Sequence, residues 1–395
     1  MAVRSKAHEG ETVGRTKSAL LVVLAAGVGL SLTGTAQANV LTRIDGNDTR
    51  GPLDIRSASH GHAGNAVTHT IRTFAPWSRA LLGPRTPNAF LLFVGTDRDP
   101  APERVVLIFS SGGRMVALVL RPNGALVGRA TASKPNGRTV RVSIPRARLG
   151  SPAGYRWQAF SVFETRRGTC ANGCVDRVPN ASGRVLHDIT APQISFPALG
   201  VPASTTYEVG FSVSDTGGAG LRNWRLEHRL LGTPAWSAVT SGTTGGAKTH
   251  SFQSAEDADD QFRVVAVDRH GNTAVSPIRL VSVPVDDGDL TYGGTWIETE
   301  AQATDFLATR HSSSEVDATA TYPFTGGYVA WIAPGGGTGI AEVLVDTVSQ
   351  GTFDLGLFSG PRQVVFQHTF PSVGSHTIVI RVAGGTVPVD GIVVR

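Results

Sequence analysis

Apolar and polar residues alternate with a period of two along much of the chain. In the segment 139–145, Val140, Val142 and Ile144 fall on one face of an extended chain, which is the pattern of a half-buried β-strand. Further apolar runs of strand length, separated by turn-forming residues, lie at 89–94, 104–109 and 115–120. No segment has a capped apolar period of 3.6 residues. The pattern therefore predicts an all-β chain built from sandwich domains.

Composition and charge divide this chain into parts. Its 395 residues exceed one ordinary sandwich, and 47 Gly with 22 Pro beside 41% hydrophobic residues indicate many short strands joined by turns. Residues 39–190 hold 21 basic and 9 acidic side chains, residues 191–285 hold 7 and 8, and residues 286–395 hold 4 and 12. The steps coincide with Asp- and Pro-containing joints at 188–192 and 283–289. We predict three β-sandwich domains in series with these bounds, called the first, second and third domains below.

The first 38 residues have the pattern of a secretory signal. Basic residues at positions 4, 6, 15 and 17 precede an apolar run at 19–32, and Thr35-Ala-Gln-Ala38 supplies small residues before a cleavage point. A membrane anchor is the alternative, but the run is shorter than the roughly 20 residues that a span needs. We expect a cleaved signal peptide at 1–38 and a mature chain without a membrane span, secreted or associated with the cell wall.

Cys170 and Cys174 are the two cysteines of the chain. Export permits a disulfide between them, and a loop this short would rigidify a turn more than hold a domain together. Half of a metal site is the alternative, but no second Cys or His pair completes it. We predict the Cys170–Cys174 disulfide.

The second and first domains resemble known modules. Gln261–Asn272, with an Asp before a Gly-Asn turn, resembles the penultimate strand of bacterial immunoglobulin-like and fibronectin type III repeats. Gly51–Ile55, Thr73–Trp77, Arg138–Pro145 and Cys170–Cys174 resemble the N-terminal β-domain of uncharacterised exported actinobacterial proteins, which implies no particular activity.

Five characteristic segments of the third domain occur in this order: Tyr292–Trp296, Gly327–Pro334, Ala341–Asp346, Arg362–Phe366 and Gly374–Ile380. In these segments the domain is similar to galactose-binding-like β-sandwich modules, whose members bind different sugars or have no known ligand. The resemblance implies a sandwich fold and a sugar site where aromatic faces meet polar groups. Tyr292, Trp296, Tyr322, Tyr328 and Trp331 are the candidate aromatics, with Trp331 expected in the core because it alternates with Val329 and Ala333.

We expect the ligand site at one end of the third domain. Tyr292 and Trp296 lie near its start, Arg310 and His311 follow in a segment that reads as a loop, and Arg362 follows Gly360-Pro361. These five residues are the predicted ligand-binding set.

Catalytic and metal-binding signals are weak. Neither H-E-x-x-H nor G-x-S-x-G occurs, so we predict a protein that is not an enzyme and has no cofactor. His60-Gly-His62 with His69 is the best metal candidate, because residues two apart on a strand share a face, but no third ligand is evident. Asp257–Asp260 reads as a solvated loop and Asp286–Asp289 as a polar linker, with a structural calcium ion at the latter as the alternative.

The partners follow from export and charge. Arg side chains dispersed singly along the first domain favour an anionic surface or simple solubility over nucleic acid. The leading function is a non-catalytic secreted or cell-surface protein that binds carbohydrate or cell-envelope polymer. The rivals are a structural or adhesion protein with protein partners and a hydrolase with an unrecognised site in the first domain. The sequence leaves the oligomeric state open.

Overall fold

A computed structural model describes residues 41–96, 99, 101–164, 174–180 and 183–395. The signal segment 1–38 and Cys170 lie outside these residues, so the cleavage and the disulfide stay predictions. The described chain forms 29 strands and five short 3-10 helices and contains no α-helix, which confirms the all-β fold class. Within the described ranges, no helix has the length and apolar character needed to cross a membrane.

One continuous sheet builds the first domain. Its strands are β1 (Leu41–Ile44), β2 (Ile55–Ala63), β3 (Ala66–Thr73), β4 (Ala89–Gly95), β5 (Arg104–Ser111), β6 (Arg114–Leu120), β7 (Leu126–Asn136), β8 (Thr139–Pro145), β9 (Gly154–Phe163), β10 (Cys174–Val178) and β11 (Val185–Asp188). They follow the order β1-β2-β3-β8-β7-β6-β5-β4-β9-β10, and β11 also pairs with β9. The 3-10 helices Arg79–Leu82 and Arg146–Leu149 lie in the connections.

The long strand β7 lets this sheet fold over its own core. Its first half pairs with β6 and its second half with β8, so it passes from one layer to the other. Val140, Val142 and Ile144 of β8 are buried in the shared core, whereas Arg141 between them is exposed. The predicted alternation is confirmed at this strand.

Two sheets enclose the core of the second domain. The first sheet has the order β12-β13-β16, from β12 (Gln193–Ser195), β13 (Thr206–Ser214) and β16 (Gly246–Gln253). The second has the order β15-β14-β17-β18 with β19 also on β17, from β14 (Leu221–Leu230), β15 (Ser237–Gly242), β17 (Asp259–Asp268), β18 (Thr273–Val275) and β19 (Arg279–Ser282). Phe211 of the first sheet packs edge-to-face on Trp224 of the second, with ring centroids 5.2 Å apart.

The third domain pairs a large sheet with a small one. The large sheet has the order β20-β29-β24-β27-β25-β26, with β21 also on β24, from β20 (Val285–Asp286), β21 (Thr291–Gly293), β24 (Thr319–Ala333), β25 (Ile340–Val345), β26 (Val348–Asp354), β27 (Gln363–Gly384) and β29 (Gly391–Val394). The small sheet joins β22 (Ile297–Thr299), β23 (Arg310–Ser313) and β28 (Val387–Val389). The remaining 3-10 helices are Asp287–Asp289, Phe306–Ala308 and Leu355–Leu357. Trp331 is fully buried between the sheets, as its alternation predicts.

The acidic segments are more buried than the sequence indicates. Asp257–Asp260 is not a solvated loop, because Asp259 and Asp260 lie in β17 and Asp260 is buried with bonds from Tyr207 and His228. Asp286–Asp289 is not a polar linker, because Asp287 is fully buried. Partners that are distant in sequence make such burial possible, since a paired carboxylate avoids much of the desolvation cost.

Candidate functional site

The predicted ligand-binding set divides into two groups in the third domain. Tyr292, in β21, stacks on His311 with ring centroids 4.3 Å apart and touches Trp296 at 5.0 Å. Arg310 and Arg362 both lie near Asp305. Arg310 and His311 belong to β23, so the expectation of a loop there is wrong: their backbones pair with β22 and β28.

The first group is held by bonds within the protein. His311 Nδ1 lies 2.5 Å from Asp287 Oδ2, and the Tyr292 hydroxyl donates to the Asp287 carbonyl oxygen at 2.8 Å. The Thr309 hydroxyl donates to Asp287 Oδ1 at 3.0 Å. Burial raises the pKa of the Asp287 carboxyl, and the His311 bond lowers it. These contacts fix Tyr292 and His311 in place, and all three rings of the group are partly exposed.

The second group joins chain segments to each other. Arg310 Nη1 lies 3.2 Å from Asp305 Oδ2. The Arg362 guanidinium donates to the carbonyl oxygens of Val201, at 3.0 Å from Nε, and of Thr304. Both cations therefore have internal partners, and a role for them in ligand binding stays a prediction.

A separate open groove in the third domain collects groups that suit a polyhydroxylated ligand. Its aromatic walls are Tyr322 and Phe324 of β24 and the ring of His376, and its volume is about 510 Å³. Hydroxyl and carboxylate groups complete the lining: Thr325, Ser375, Thr377, Asp346 and, from the second domain, Asp257. Because a sugar offers both an apolar ring face and hydroxyls, it needs this mixture of surfaces.

Hydrogen bonds fix the polar side of the groove. His376 Nδ1 lies 2.6 Å from Asp346 Oδ2, and the Thr377 backbone N–H donates to Asp346 Oδ1 at 2.9 Å. The His376 bond is the main cause of the lowered pKa of Asp346, so the carboxylate is ionised at neutral pH. The His376 ring is stacked on Phe370, with centroids 3.6 Å apart. Such a fixed acceptor costs a ligand little ordering entropy.

The sequence predicts some of the residues that line this groove. Tyr322 was among the candidate aromatics, and both Asp346 and His376 lie in segments that carry the family resemblance. Their meeting was missed because β25 and β27 pair only in the folded sheet, where Val345 lies opposite Ile378. The spacing of Tyr322 and Phe324, two residues apart and followed by Thr325, is the sequence feature that points to this groove.

The metal candidate in the first domain is a packed histidine network. His60 and His62 are both buried on β2, and His60 lies opposite His69 of β3. A fourth ring, His187 of β11, stacks on His60 with centroids 3.9 Å apart and shares a hydrogen bond of 3.1 Å with His62. The Tyr155 hydroxyl bonds His69 at 2.6 Å and His187 at 2.8 Å.

Several nitrogens of this network are bonded within the protein, whereas His60 Nε2 and His69 Nδ1 are buried without a partner among the described residues. Trp157 donates its indole N–H to His60 Nδ1 at 2.5 Å. Burial is the largest cause of lowered pKa values throughout the cluster, and it brings that of His60 to about 3. Where described side chains gather three ligand atoms within 4.8 Å of one another, all of them are aspartates. The histidine network is therefore a neutral part of the core.

Comparisons with known proteins do not assign the chain to a family. No protein-family model and no curated protein matches the chain. The FN1–FN3 domains of chicken CNTN1 align with 90% of this chain and 97% of their own, at 10% identity and a TM-score of 0.24. An adhesin, described as Ca2+-stabilised and as helping an Antarctic bacterium reach out and bind ice, aligns with 84% of this chain and 68% of its own, at 12% identity and a TM-score of 0.22.

Proposed function

We propose that the chain is a non-catalytic, exported protein that binds carbohydrate or a cell-envelope polymer through the groove of Tyr322, Asp346 and His376. The observation that carries the proposal is the joining of a tyrosine ring, a fixed carboxylate and several hydroxyls in one open depression. The signal pattern of residues 1–38 supports a place outside the cell.

The arrangement supports binding through two kinds of contact. The Tyr322 ring stacks on the apolar face of a sugar, and Asp346 accepts hydrogen bonds from its hydroxyls, which are stronger when the acceptor is charged. The groove is open, so it accommodates a residue within a polymer as well as a chain end. The first and second domains carry this module at the cell surface.

Replacement of Tyr322 by Ala will weaken ligand binding by about tenfold or more, equal to ~1.4 kcal/mol, because the stacking surface is lost. The measurement is binding of the mature full chain to a panel of glycans and insoluble cell-wall polymers, followed by titration of the best ligand. Tyr322→Phe keeps the ring and will retain most of the affinity, which separates stacking from any effect on folding.

Trp296→Ala is the matched control at the other predicted site. If Trp296→Ala weakens binding and Tyr322→Ala does not, the ligand site lies beside Tyr292 and the groove proposal is wrong. If the wild-type chain retains no glycan or polymer above background, carbohydrate binding itself is refuted and the rival with protein partners takes its place.

A further inference from the structure

Four aspartates of the first domain converge at one edge of its sheet. Asp45, Asp48 and Asp54 lie in the connection from β1 to β2, and Asp176 lies in β10. One carboxylate oxygen from each of Asp45, Asp48 and Asp176 lies within 4.8 Å of the other two. These four residues, the aspartate cluster, are 4 of only 9 acidic residues in a domain with 21 basic ones.

Asp54 is the most buried carboxylate of the cluster at 2% exposure. Neither of its carboxylate oxygens makes a hydrogen bond of ordinary geometry with a described residue, although the Asp176 side chain and the Thr49 backbone lie near enough to interact with it. Asp45 Oδ2 is likewise buried without a partner. An unpaired buried carboxylate is costly, and within the described ranges no Lys, Arg or His forms an ion pair with any of the four.

The charges of the cluster act on one another. Burial raises the pKa of the Asp45 carboxyl to about 6, and the Asp176 charge adds to the rise. Burial also raises the pKa of Asp176 to about 6, with Asp54 and Asp48 adding to it. Burial is the main cause of the raised pKa of Asp54; the hydrogen-bonding interaction with Asp176 lowers it, and the charges of Asp48 and Asp45 raise it. Independently of these shifts, the oxygens of Asp45, Asp48 and Asp176 lie together, and Asp54 adjoins them because the N–H of the next residue, Ile55, bonds Asp176.

A second acidic group provides a contrast. Asp188, Asp215 and Asp268 also bring three oxygens within 4.8 Å. There the Asp188 carboxylate accepts bonds from Thr190 and Ala219, and both Asp268 oxygens accept bonds from Asn272. In that group backbone and amide donors bond both oxygens of Asp188 and of Asp268, and one oxygen, Asp215 Oδ2, is buried without a partner. At Asp54 both carboxylate oxygens lack such a partner.

The donor set matches one class of ion. Calcium takes six to eight oxygen ligands at about 2.3–2.6 Å, so two of its ligands lie at most about 5 Å apart. Magnesium demands a tighter octahedron and keeps several waters, and zinc prefers nitrogen and sulfur. Three carboxylates whose oxygens lie within 4.8 Å of one another, two from an irregular connection and one from β10, with Asp54 beside them, fit calcium best.

Hydrogen bonds hold the side chains of the cluster in place, and part of the cluster is open to solvent. Asp176 is anchored by the backbone N–H groups of Ile55 and Arg177, each at 2.6 Å, and Asn180 donates to Asp48 Oδ2 at 2.7 Å. An open depression lined by Asp48, Asp176 and Asn180 connects these side chains to solvent. An ion can therefore enter and find ligands that are already oriented.

We propose that Asp45, Asp48, Asp54 and Asp176 bind one calcium ion that clamps the β1–β2 connection to β10. These two elements stand at opposite ends of the strand order, so the ion closes the sheet where its layers meet. The first domain, which has no assigned task in ligand binding, then acts as a calcium-stabilised support.

Calcium will raise the melting temperature of the metal-depleted full chain by roughly 5–10 °C at a hundredfold excess over its Kd. The experiment is differential scanning calorimetry with calorimetric titration, after treatment with EDTA and removal of the chelator. Binding will have a stoichiometry of one, and magnesium at the same concentration will produce a much smaller shift.

Asp54→Asn separates a ligand from a merely structural residue. It removes a repelling charge, so the metal-free protein will melt at the same or a higher temperature, while the affinity for calcium falls at least tenfold. Asp45→Asn will behave in the same way. Asp215→Asn, in the contrasting group, will keep the full calcium shift.

Two results overturn the proposal. One is a metal-depleted wild-type chain whose melting temperature and heat signal do not respond to millimolar calcium. The other is a calcium shift that survives in both Asp54→Asn and Asp45→Asn, or that is lost in Asp215→Asn alone, because either outcome places the ion elsewhere.

Discussion

Acidification from pH 7 to pH 5 will strongly destabilise the first domain, because its core holds a network of neutral histidines. The folded pKa of His60 is lowered to about 3, mainly by burial and further by the charges of His270, His62 and Arg43. The unfolded chain protonates the same side chain near pH 6.5. Between these values the unfolded state binds more protons, so stability is complete above pH 6.5 and is lost as the pH falls toward 3.

The expected loss is large for a single domain. At pH 5, His60 alone costs about 2 kcal/mol, given its two pKa values. His187 and His69 add to this, since burial lowers their pKa values as well. A domain of ordinary stability, about 5–15 kcal/mol, therefore comes close to its unfolding transition. The measurement is thermal and urea unfolding between pH 8 and pH 5, followed by circular dichroism.

A histidine variant isolates this contribution from other titrating groups. The carboxyls of Asp45 and Asp176, with pKa values raised to about 6, act in the opposite sense, so the difference from wild type is the informative quantity. His60→Gln will flatten the pH dependence of stability, and His250→Gln, at a partly exposed position of β16, will leave it unchanged. Equal slopes for wild type and His60→Gln would show that the network does not control acid stability.

The histidine network shows which contacts can be predicted from the sequence and which cannot. His60 and His62 stand two apart on a strand, and their common face follows from that spacing alone. His187 lies more than a hundred residues away, and only the pairing of β11 with β9 brings it beside Tyr155 and Trp157. Local periodicity predicts which face is buried, but it does not predict which distant strand supplies the partner.

The same limit applies to the aspartates. No sequence motif marks Asp45, Asp48 and Asp54 as members of one site. Their fourth member, Asp176, belongs to β10, and its bond to the Ile55 backbone joins positions 121 residues apart. Apolar positions are predictable because burial rewards each of them separately. Buried carboxylates depend on a set of partners that exists only after folding.

The groove and the predicted ligand-binding set differ for a related reason. The sequence places Tyr292 and Trp296 near the start of the third domain, and in the structure Tyr292 lies against both Trp296 and His311. The Tyr292 hydroxyl and His311 Nδ1 are bonded to Asp287. Residue types alone do not reveal such internal bonds, because the partners meet only after folding.

Replacement of Asp188 by Ala will destabilise the chain by about 3 kcal/mol, because three partly buried donors lose their acceptor. Asp188 ends β11 at the joint between the first and second domains and is fully buried. Its Oδ1 accepts bonds from the backbone N–H and hydroxyl of Thr190, both at 3.1 Å, and its Oδ2 accepts from Ala219 N–H at 2.9 Å. The joint is thus a bonded element of the fold.

Gly217→Ala will have a comparable cost through the same carboxylate. A Cβ atom at residue 217 would lie 1.8 Å from Asp188 Oδ1, so the added methyl must displace it. In an Asp188→Ala background that obstacle is gone, and Gly217→Ala will then cost little. The two substitutions should therefore be strongly non-additive, with a coupling energy of about 2–3 kcal/mol in a double-mutant cycle measured by urea unfolding.

Gly210→Ala, where no atom lies within 4 Å of the new Cβ, is the control with little expected effect. Additive costs for the Asp188 and Gly217 variants would mean that the carboxylate does not govern this joint.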